Sequence, residues 1–482
     1  MDQDAARAPI EAFVDSGVEH PTLGLVYGRR RIGKSTLLAS MAAQRKGFYW
    51  EATRGEAAIH LARLGEALGA HLGVGRLSLD TWEEALRSLL RLGEQSAVPL
   101  VLDEFGYLLE ADRGLDSQVA SALGPGARRP GAGRARLILC GSAMAMMGSL
   151  TAGQAPLRGR AGMELVMQPF GYRAAARLLG ADAPLDLAAR LYAAIGGVIG
   201  YYTDMVDHDL PTGNDDFDRW VAARLLSPAA TLHHEATTLL AEDPTLAASS
   251  AAVHHSILGS IANGSVTAGT IANRLRRSVP SLDPALKRLV AAGFVVRHED
   301  PIRSQRPTYA LADPFLQFHY AVLEPNAAVL RDRNPSDSWP GRLSSAFDAR
   351  VRGPVFEEQA RIWIRRHASQ ETLGGRADFV GPSSTVVGGT ERQLDAIVAS
   401  ADDPYALPSE RTVLAIGEAK AGQTAATEHL RALEDARRAL GARAASARLL
   451  LFAQAFAREL QAAVASRSDV ELVDLDRLYG GA

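Results

Sequence analysis

The sequence predicts an α/β multidomain chain, and three observations predict it. Near the start, a glycine-rich turn ending in Gly-Lys-Ser stands between an apolar run and a helical run. In the middle, three helical segments precede two short strand-like ones. Near the end, two apolar strand-like runs carry an Asp and a Glu-x-Lys.

Composition bounds the reading. A chain of 482 residues has room for about three domains at roughly 100–200 residues each. With 47% apolar and 22% charged residues, it is not mainly disordered. The net charge is -3, so a nucleic-acid surface has to be a local patch. The single cysteine, Cys140, excludes an intrachain disulfide and fits a reducing compartment. The segment Met1-Asp2-Gln3-Asp4 lacks the basic and apolar regions of a signal peptide, and no apolar run reaches about 18 residues. Secreted and membrane classes are therefore set aside, and a cytoplasmic protein without a membrane partner is expected. Only four of the 52 basic residues are lysines: Lys34, Lys46, Lys287 and Lys420. Where arginine is the default cation, a remaining lysine marks a place that needs a compact ammonium group.

The first domain is expected over 1–210. Residues 23–28, Leu-Gly-Leu-Val-Tyr-Gly, suit a buried strand. Gly28-Arg29-Arg30-Arg31-Ile32-Gly33-Lys34-Ser35 follows, before a helical run that opens at Thr36. This is G-x-x-x-x-G-K-S in the strand-loop-helix context of a phosphate-binding loop. Its backbone N–H groups can close around phosphate oxygens at a helix N-terminus. Lys34 then reaches the β- and γ-phosphates and Ser35 ligates Mg²⁺, with ATP as the expected cofactor. The plain alternative is a glycine turn before an ordinary helix. The later run Pro99-Leu100-Val101-Leu102-Asp103-Glu104 places Asp103 in the Mg²⁺ shell and Glu104 beside the attacking water. The strand-like residues 47–52 leave room for an extra strand between the two motifs. A third strand over 136–142 ends in Ser142, which could sense the γ-phosphate. Arg158 or Arg160 could stabilise transferred charge, with a plain surface cation as the even alternative. Together these residues predict a P-loop NTPase parallel sheet.

A helical lid and a winged-helix module are expected over 211–330. Helices are read at 251–264, at 266–275, and from Asp283, a plausible N-cap with Pro284 in the first turn. Strands at 294–297 and 308–311 would form the wing. Eight basic and three acidic residues lie between Arg274 and Arg306, an excess of five. Arg276, Arg277, Lys287, Arg288, Arg303 and Arg306 could contact DNA phosphates; the alternative is a lid with a solvated basic face. The polar, turn-rich run from Arg331 to Gly341 suggests a linker at 331–345.

The last domain is expected over 346–482. Glu357 lies on an opening helix, Asp395 on one strand, and Glu418 and Lys420 on one face of the next. Two neighbouring carboxylates can hold Mg²⁺, with Mn²⁺ as a substitute, while Lys420 orients water for phosphodiester attack. Asp followed by Glu-x-Lys is the pattern of restriction-endonuclease-like folds, whose helix carboxylate Glu357 matches. The plain alternative is an ion pair between Glu418 and Lys420.

The chain resembles the archaeal-type P-loop ATPases, relatives of the AAA+ and STAND NTPases. The resemblance rests on residues 27–35, 102–105, 140–142, 156–160 and 196–197, and in the middle on 255–258, 261–264 and 313–320. Members usually end in a nuclease-like domain of unknown function; Gln393 stands where the family commonly has Glu. The resulting expectation is an ATP-hydrolysing, DNA-acting protein that couples a P-loop ATPase to a Mg²⁺-dependent nuclease-like domain, with homo-oligomerisation left open. The rival reading is a nucleotide-driven switch whose nuclease fold is inactive.

Overall fold

The computed structural model describes residues 3–128, 133–243, 246, 251–403 and 405–481. Strands β1 (Thr22–Tyr27), β2 (Phe48–Glu51), β3 (Val98–Asp103), β4 (Ala135–Gly141) and β5 (Ala161–Val166) form one sheet in the order β2-β3-β4-β1-β5. Every pairing is parallel. Parallel strands are covered on both faces and so read as continuous apolar runs; every residue of β3 and β4 is buried. Alternation along β1 sends Val26 toward the helix Lys34–Gln44, and Leu25 and Tyr27 to the opposite layer. The strand between the two motif strands is β4, whereas the run at 47–52 forms the edge strand β2. The ends of β1, β3 and β4 therefore lie side by side, where open α/β sheets place their sites.

The middle of the chain holds the helices Ala251–Ala262, Ala268–Arg274 and Val279–Ala291, then the antiparallel pair β6 (Val295–His298) and β7 (Thr308–Leu311). The third helix begins a turn before the expected Asp283. Ser278 precedes it and Pro280 takes the first-turn place assigned to Pro284, where a missing N–H costs nothing. Ile257, Leu258, Ile271, Leu286 and Leu289 join the same apolar core as Val26 and Leu38. This module thus shares a core with the first sheet.

The expected linker at 331–345 is instead packed structure. Short helices run through it, and Trp339, Leu343, Phe347 and Val351 are all buried in that shared core. From Leu343 the spacing of four through Phe347 and Val351 is a helical stripe, whereas Pro340 and Gly341 break the helix after Trp339; the surrounding Asn, Ser, Asp and Pro residues mask both in a reading for turns.

A second, mixed sheet closes the chain. Its strands are β8 (Phe379–Val387), β9 (Thr390–Ser400), β10 (Thr412–Ala425), β11 (Arg448–Phe456) and β12 (Val470–Val473), in the order β12-β11-β10-β9-β8. β8, β9 and β10 pair antiparallel, and β10, β11 and β12 parallel. The helix Gly353–Arg366 covers one face through Phe356, Ala360, Trp363 and Ile364, and the helix Thr427–Leu440 covers the other through Leu430, Leu433 and Ala436. The helix Tyr172–Ala176 joins the helix Leu475–Gly480 at the chain's end, where the Tyr172 hydroxyl donates to Leu478 O at 2.9 Å. Among the described residues no helix is long and apolar enough to cross a membrane.

Candidate functional site

The loop after β1 is built around two glycines. A Cβ on Gly28 would lie 2.4 Å from Met167 O and 2.6 Å from Ile32 Cδ1, so only glycine fits. Gly33 sits at φ 91, a left-handed turn that ordinary side chains resist, and the helix Lys34–Gln44 starts from it. Lys34 is 4% exposed. Its ammonium donates to Gly28 O and Arg29 O at 2.8 Å each, so it closes the loop from inside, among carbonyls rather than beside a carboxylate.

At the end of β3 the Asp103 carboxylate is fully buried. Its Oδ1 accepts from Glu104 N at 2.8 Å and its Oδ2 from the Tyr49 hydroxyl at 2.7 Å. Ser35 is a further polar neighbour of that hydroxyl. Burial, then the Asp103 charge, push the Tyr49 phenol up, so it remains a donor. Behind them the Cys140 thiol is pushed up by burial and by Asp103. Ser35 and Asp103 thus converge on a single hydroxyl with hard oxygen donors, a set that suits Mg²⁺. Glu104 takes φ 50 at the turn into the next helix, and its Oε2 accepts from Ser142 Oγ at 2.9 Å. The tips of β3 and β4 therefore carry the candidate acid, base and sensor together.

The remaining first-domain candidates lie elsewhere. Arg158 donates to Gly153 O at 2.5 Å and Arg160 to Ala120 O at 2.9 Å. Among the described residues neither is bonded to the phosphate loop. The loop's three arginines, expected at the nucleotide, point their side chains away from it. Arg29 Nη1 pairs with Asp313 Oδ2 at 2.8 Å in the interior, with the Phe294 ring 5.4 Å from its guanidinium carbon. Arg30 pairs with Glu242, and Arg31 Nε with Glu235 Oε1 at 3.0 Å. Three carboxylates on the helix Thr231–Glu242 and before the helix Pro314–Phe318 draw these side chains outward. The backbone N–H groups of 29–31 are left as that stretch's means of meeting a phosphate.

In the second sheet, the pairing of Gly417 with Ala396 brings Asp395 alongside Glu418. Asp395 Oδ2 accepts from Ala419 N at 2.8 Å. Glu418 Oε1 lies 2.7 Å from Lys420 Nζ and its Oε2 lies 3.8 Å from Arg392. Arg361 stands 3.9 Å from Glu357 and donates to Asp395 O at 2.6 Å. Burial, then the Asp395 charge, push Glu357 up, while burial and the Glu418 charge push Asp395 up. The four predicted residues form one cluster, but its cations are Lys420, Arg361 and Arg392. Among the described residues no group of three His, Cys, Asp or Glu side chains is placed to hold a metal ion.

The expected basic surface divides. Arg276, Arg277, Lys287 and Arg288 are exposed, and Lys287 pairs with Asp283 at 2.8 Å. Arg303 instead donates to Ser384 Oγ at 2.6 Å, and Arg303 and Arg306 lie 3.6 and 4.0 Å from Glu391. The β6–β7 loop rests on the second sheet, as the Ser383 hydroxyl bound to Asp300 at 2.9 Å also shows.

Sequence reasoning missed Tyr49, Glu235, Glu242, Asp313 and Arg361. For Tyr49 a signal was present. Phe48 and Trp50 flank it and pack in the opposite layer, so alternation alone turns Tyr49 toward the loop helix.

No family model matches the chain. The uncharacterized protein MJECL04 of Methanocaldococcus jannaschii is 24% identical over 315 residues, 64% of this chain. The chain spans only 65% of that relative's length. Among solved structures, the Walker-type ATPase paby2304 of Pyrococcus abyssi is similar with a TM-score of 0.50 and 22% identity, over 68% of this chain and 95% of that one. The ORC2 protein of Aeropyrum pernix, solved as ADPNP and ADP complexes, follows at a TM-score of 0.39 and 17% identity, over 68% and 93%. The chain thus carries the parallel-sheet P-loop NTPase fold, with a separate C-terminal mixed sheet.

Proposed function

We propose that the chain binds ATP with Mg²⁺ at residues 28–36 and hydrolyses it. The observation that carries this is the convergence of Lys34, Ser35, Asp103, Glu104 and Ser142 at the end of one parallel sheet. Bound Mg²⁺ would supply charge neutralisation at the phosphates, held by Ser35 and Asp103. Glu104 accepts the proton of the attacking water, and its bond to the Ser142 hydroxyl holds the carboxylate in place until substrate arrives. Lys34 exchanges two carbonyls for phosphate oxygens. The experiment is ATP hydrolysis by wild type, Lys34→Ala and Glu104→Gln, alongside nucleotide binding. Full activity in Glu104→Gln would remove that residue from the mechanism.

The same proposal assigns the three helices and the β6–β7 hairpin to a winged helix that contacts DNA. Exposed Arg276, Arg277, Lys287 and Arg288 support it, because clustered unburied cations on a chain of net charge -3 make a local anion-binding face. DNA binding measured against salt tests it. Arg303 and Arg306 face Ser384 and Glu391 of the second sheet instead.

The C-terminal sheet is proposed as a restriction-endonuclease-like domain. Asp395, Glu418, Lys420 and Glu357 meet on it in the pattern that suggested a nuclease. The Lys420–Glu418 pair favours its use as a binding module. Cleavage of any DNA form with Mg²⁺ or Mn²⁺, lost in Asp395→Ala, would favour the nuclease instead. The rival, a nucleotide-driven switch with this domain inactive, predicts ATP turnover without cleavage.

A further inference from the structure

The edge strand β2 has a role that neither motif of the nucleotide site supplies. Phe48 and Trp50 pack into the layer away from the loop, while Tyr49 packs against the core on the loop-helix side. The register sets Glu51 opposite Asp103 and Tyr49 opposite Val101. A long side chain at 49 reaches diagonally along the sheet to the Asp103 carboxylate, the reach that cross-strand neighbours allow. Its hydroxyl meets Asp103 Oδ2 at 2.7 Å and lies 3.5 Å from Glu51 Oε2, and Ser35 is a further polar neighbour.

Asp103 needs such a donor. Its carboxylate has no exposed surface, and a buried carboxylate oxygen without a donor is costly. One oxygen is served by the main chain at Glu104. The other is served by Tyr49. The hydroxyl therefore holds one oxygen of the Asp103 carboxylate in place.

We propose that Tyr49 is a positioning residue for the divalent cation that accompanies the nucleotide. Its hydroxyl holds Asp103 in the orientation that faces Ser35, so the oxygen donors are preset before the ion arrives. The inference rests on the P-loop reading above. It assigns no proton transfer and no contact with substrate to Tyr49.

The test is calorimetric titration of the full chain with ADP, in EDTA and in Mg²⁺. Wild type should bind ADP in both buffers and more tightly with Mg²⁺. Tyr49→Phe keeps the ring, and its ADP affinity in EDTA should stay within about twofold of wild type. The affinity gained on adding Mg²⁺ should shrink by about tenfold, the scale of a lost hydrogen bond to a charged group. In an Asp103→Asn background, Tyr49→Phe should change that gain no further, because it acts through Asp103. An unchanged gain in Tyr49→Phe overturns the proposal, as does an equal weakening with and without Mg²⁺, which is what a structural role would give. Failure of wild type to bind ADP in either buffer overturns the P-loop reading itself.

Discussion

Replacing Asp313 by Asn removes one charge from the interior and changes little else. Asp313 is 2% exposed and its partner Arg29 is 7% exposed, and they meet at 2.8 Å. Asp313 Oδ1 also accepts from Phe315 N at 2.9 Å, capping the helix Pro314–Phe318. Asn can keep that cap, so the substitution isolates the ion pair. Arg29 is left charged, and among the described residues its Nε and Nη2 already have no hydrogen-bond partner. Breaking a buried pair from one side costs about 3–5 kcal/mol. For a unit of about 150–250 residues, roughly 2–4 °C is lost per kcal/mol, so the melting midpoint should fall on the order of 10 °C. The assay is thermal unfolding of wild type, Asp313→Asn, Arg29→Met and the double variant. Removing both charges should restore part of the loss, because the cost lies in the unpaired charge rather than the missing contact. Single-variant losses under about 2 °C, or simple addition in the double variant, would refute the claim that this pair ties the loop to the middle of the chain.

Three further outcomes are expected. Lys34→Ala should abolish ADP binding in the same titration, whereas Glu104→Gln should bind normally and lose hydrolysis by about 100-fold or more; tight ADP binding by Lys34→Ala would sink the loop assignment. Replacing Arg276, Arg277 and Lys287 by Gln should shallow the slope of log affinity for duplex DNA against log salt by about 2–3, and an unchanged slope points to a lid without DNA contact. Burial, then His255 and His233, push His319 down to about 4 from 6.5. The unfolded chain therefore takes up the proton first, and stability present above about pH 6.5 is lost as the pH falls toward about 4. His319→Gln should flatten that decline in thermal midpoints, and a slope equal to wild type would count against the assignment.

The parts that could be read from sequence were those where one physical constraint dominates. Burial on both faces makes β3 and β4 uninterrupted apolar runs, and the crowding at Gly28 permits one residue type. Alternation puts Glu418 and Lys420 on one face of β10, and the hairpin between β9 and β10 allowed Asp395 to be set beside Glu418 in advance. The parts that could not be read were those set by a distant partner. Nothing near residues 331–345 announces that Trp339 and Phe347 pack against Phe318, so local turn signals dominated the reading. Nothing near Arg29 announces Asp313, which lies 284 positions away. Basic residues beside a phosphate loop invite assignment to the phosphate, and only the fold shows carboxylates waiting on the other side.

The division of labour between lysine and arginine follows from their shapes. Lys34 and Lys420 are the lysines at the two candidate sites, and Lys34 places a compact ammonium where space is short. Lys34 fits between two loop carbonyls, and Lys420 sits on Glu418 at 2.7 Å. Between the loop carbonyls a planar guanidinium would need flat, wider partners. Arginine instead serves where elements must be joined across a distance. Arg29, Arg30 and Arg31 join the loop to helices outside it, Arg352 joins Asp186 to the start of the last domain, and Arg361 links the helix Gly353–Arg366 to β9. The same cation economy that marked Lys34 as functional therefore makes the loop arginines mechanical. They fasten the phosphate loop to the helices around it, so any shift of that loop on binding nucleotide acts on the middle of the chain through ion pairs already in place.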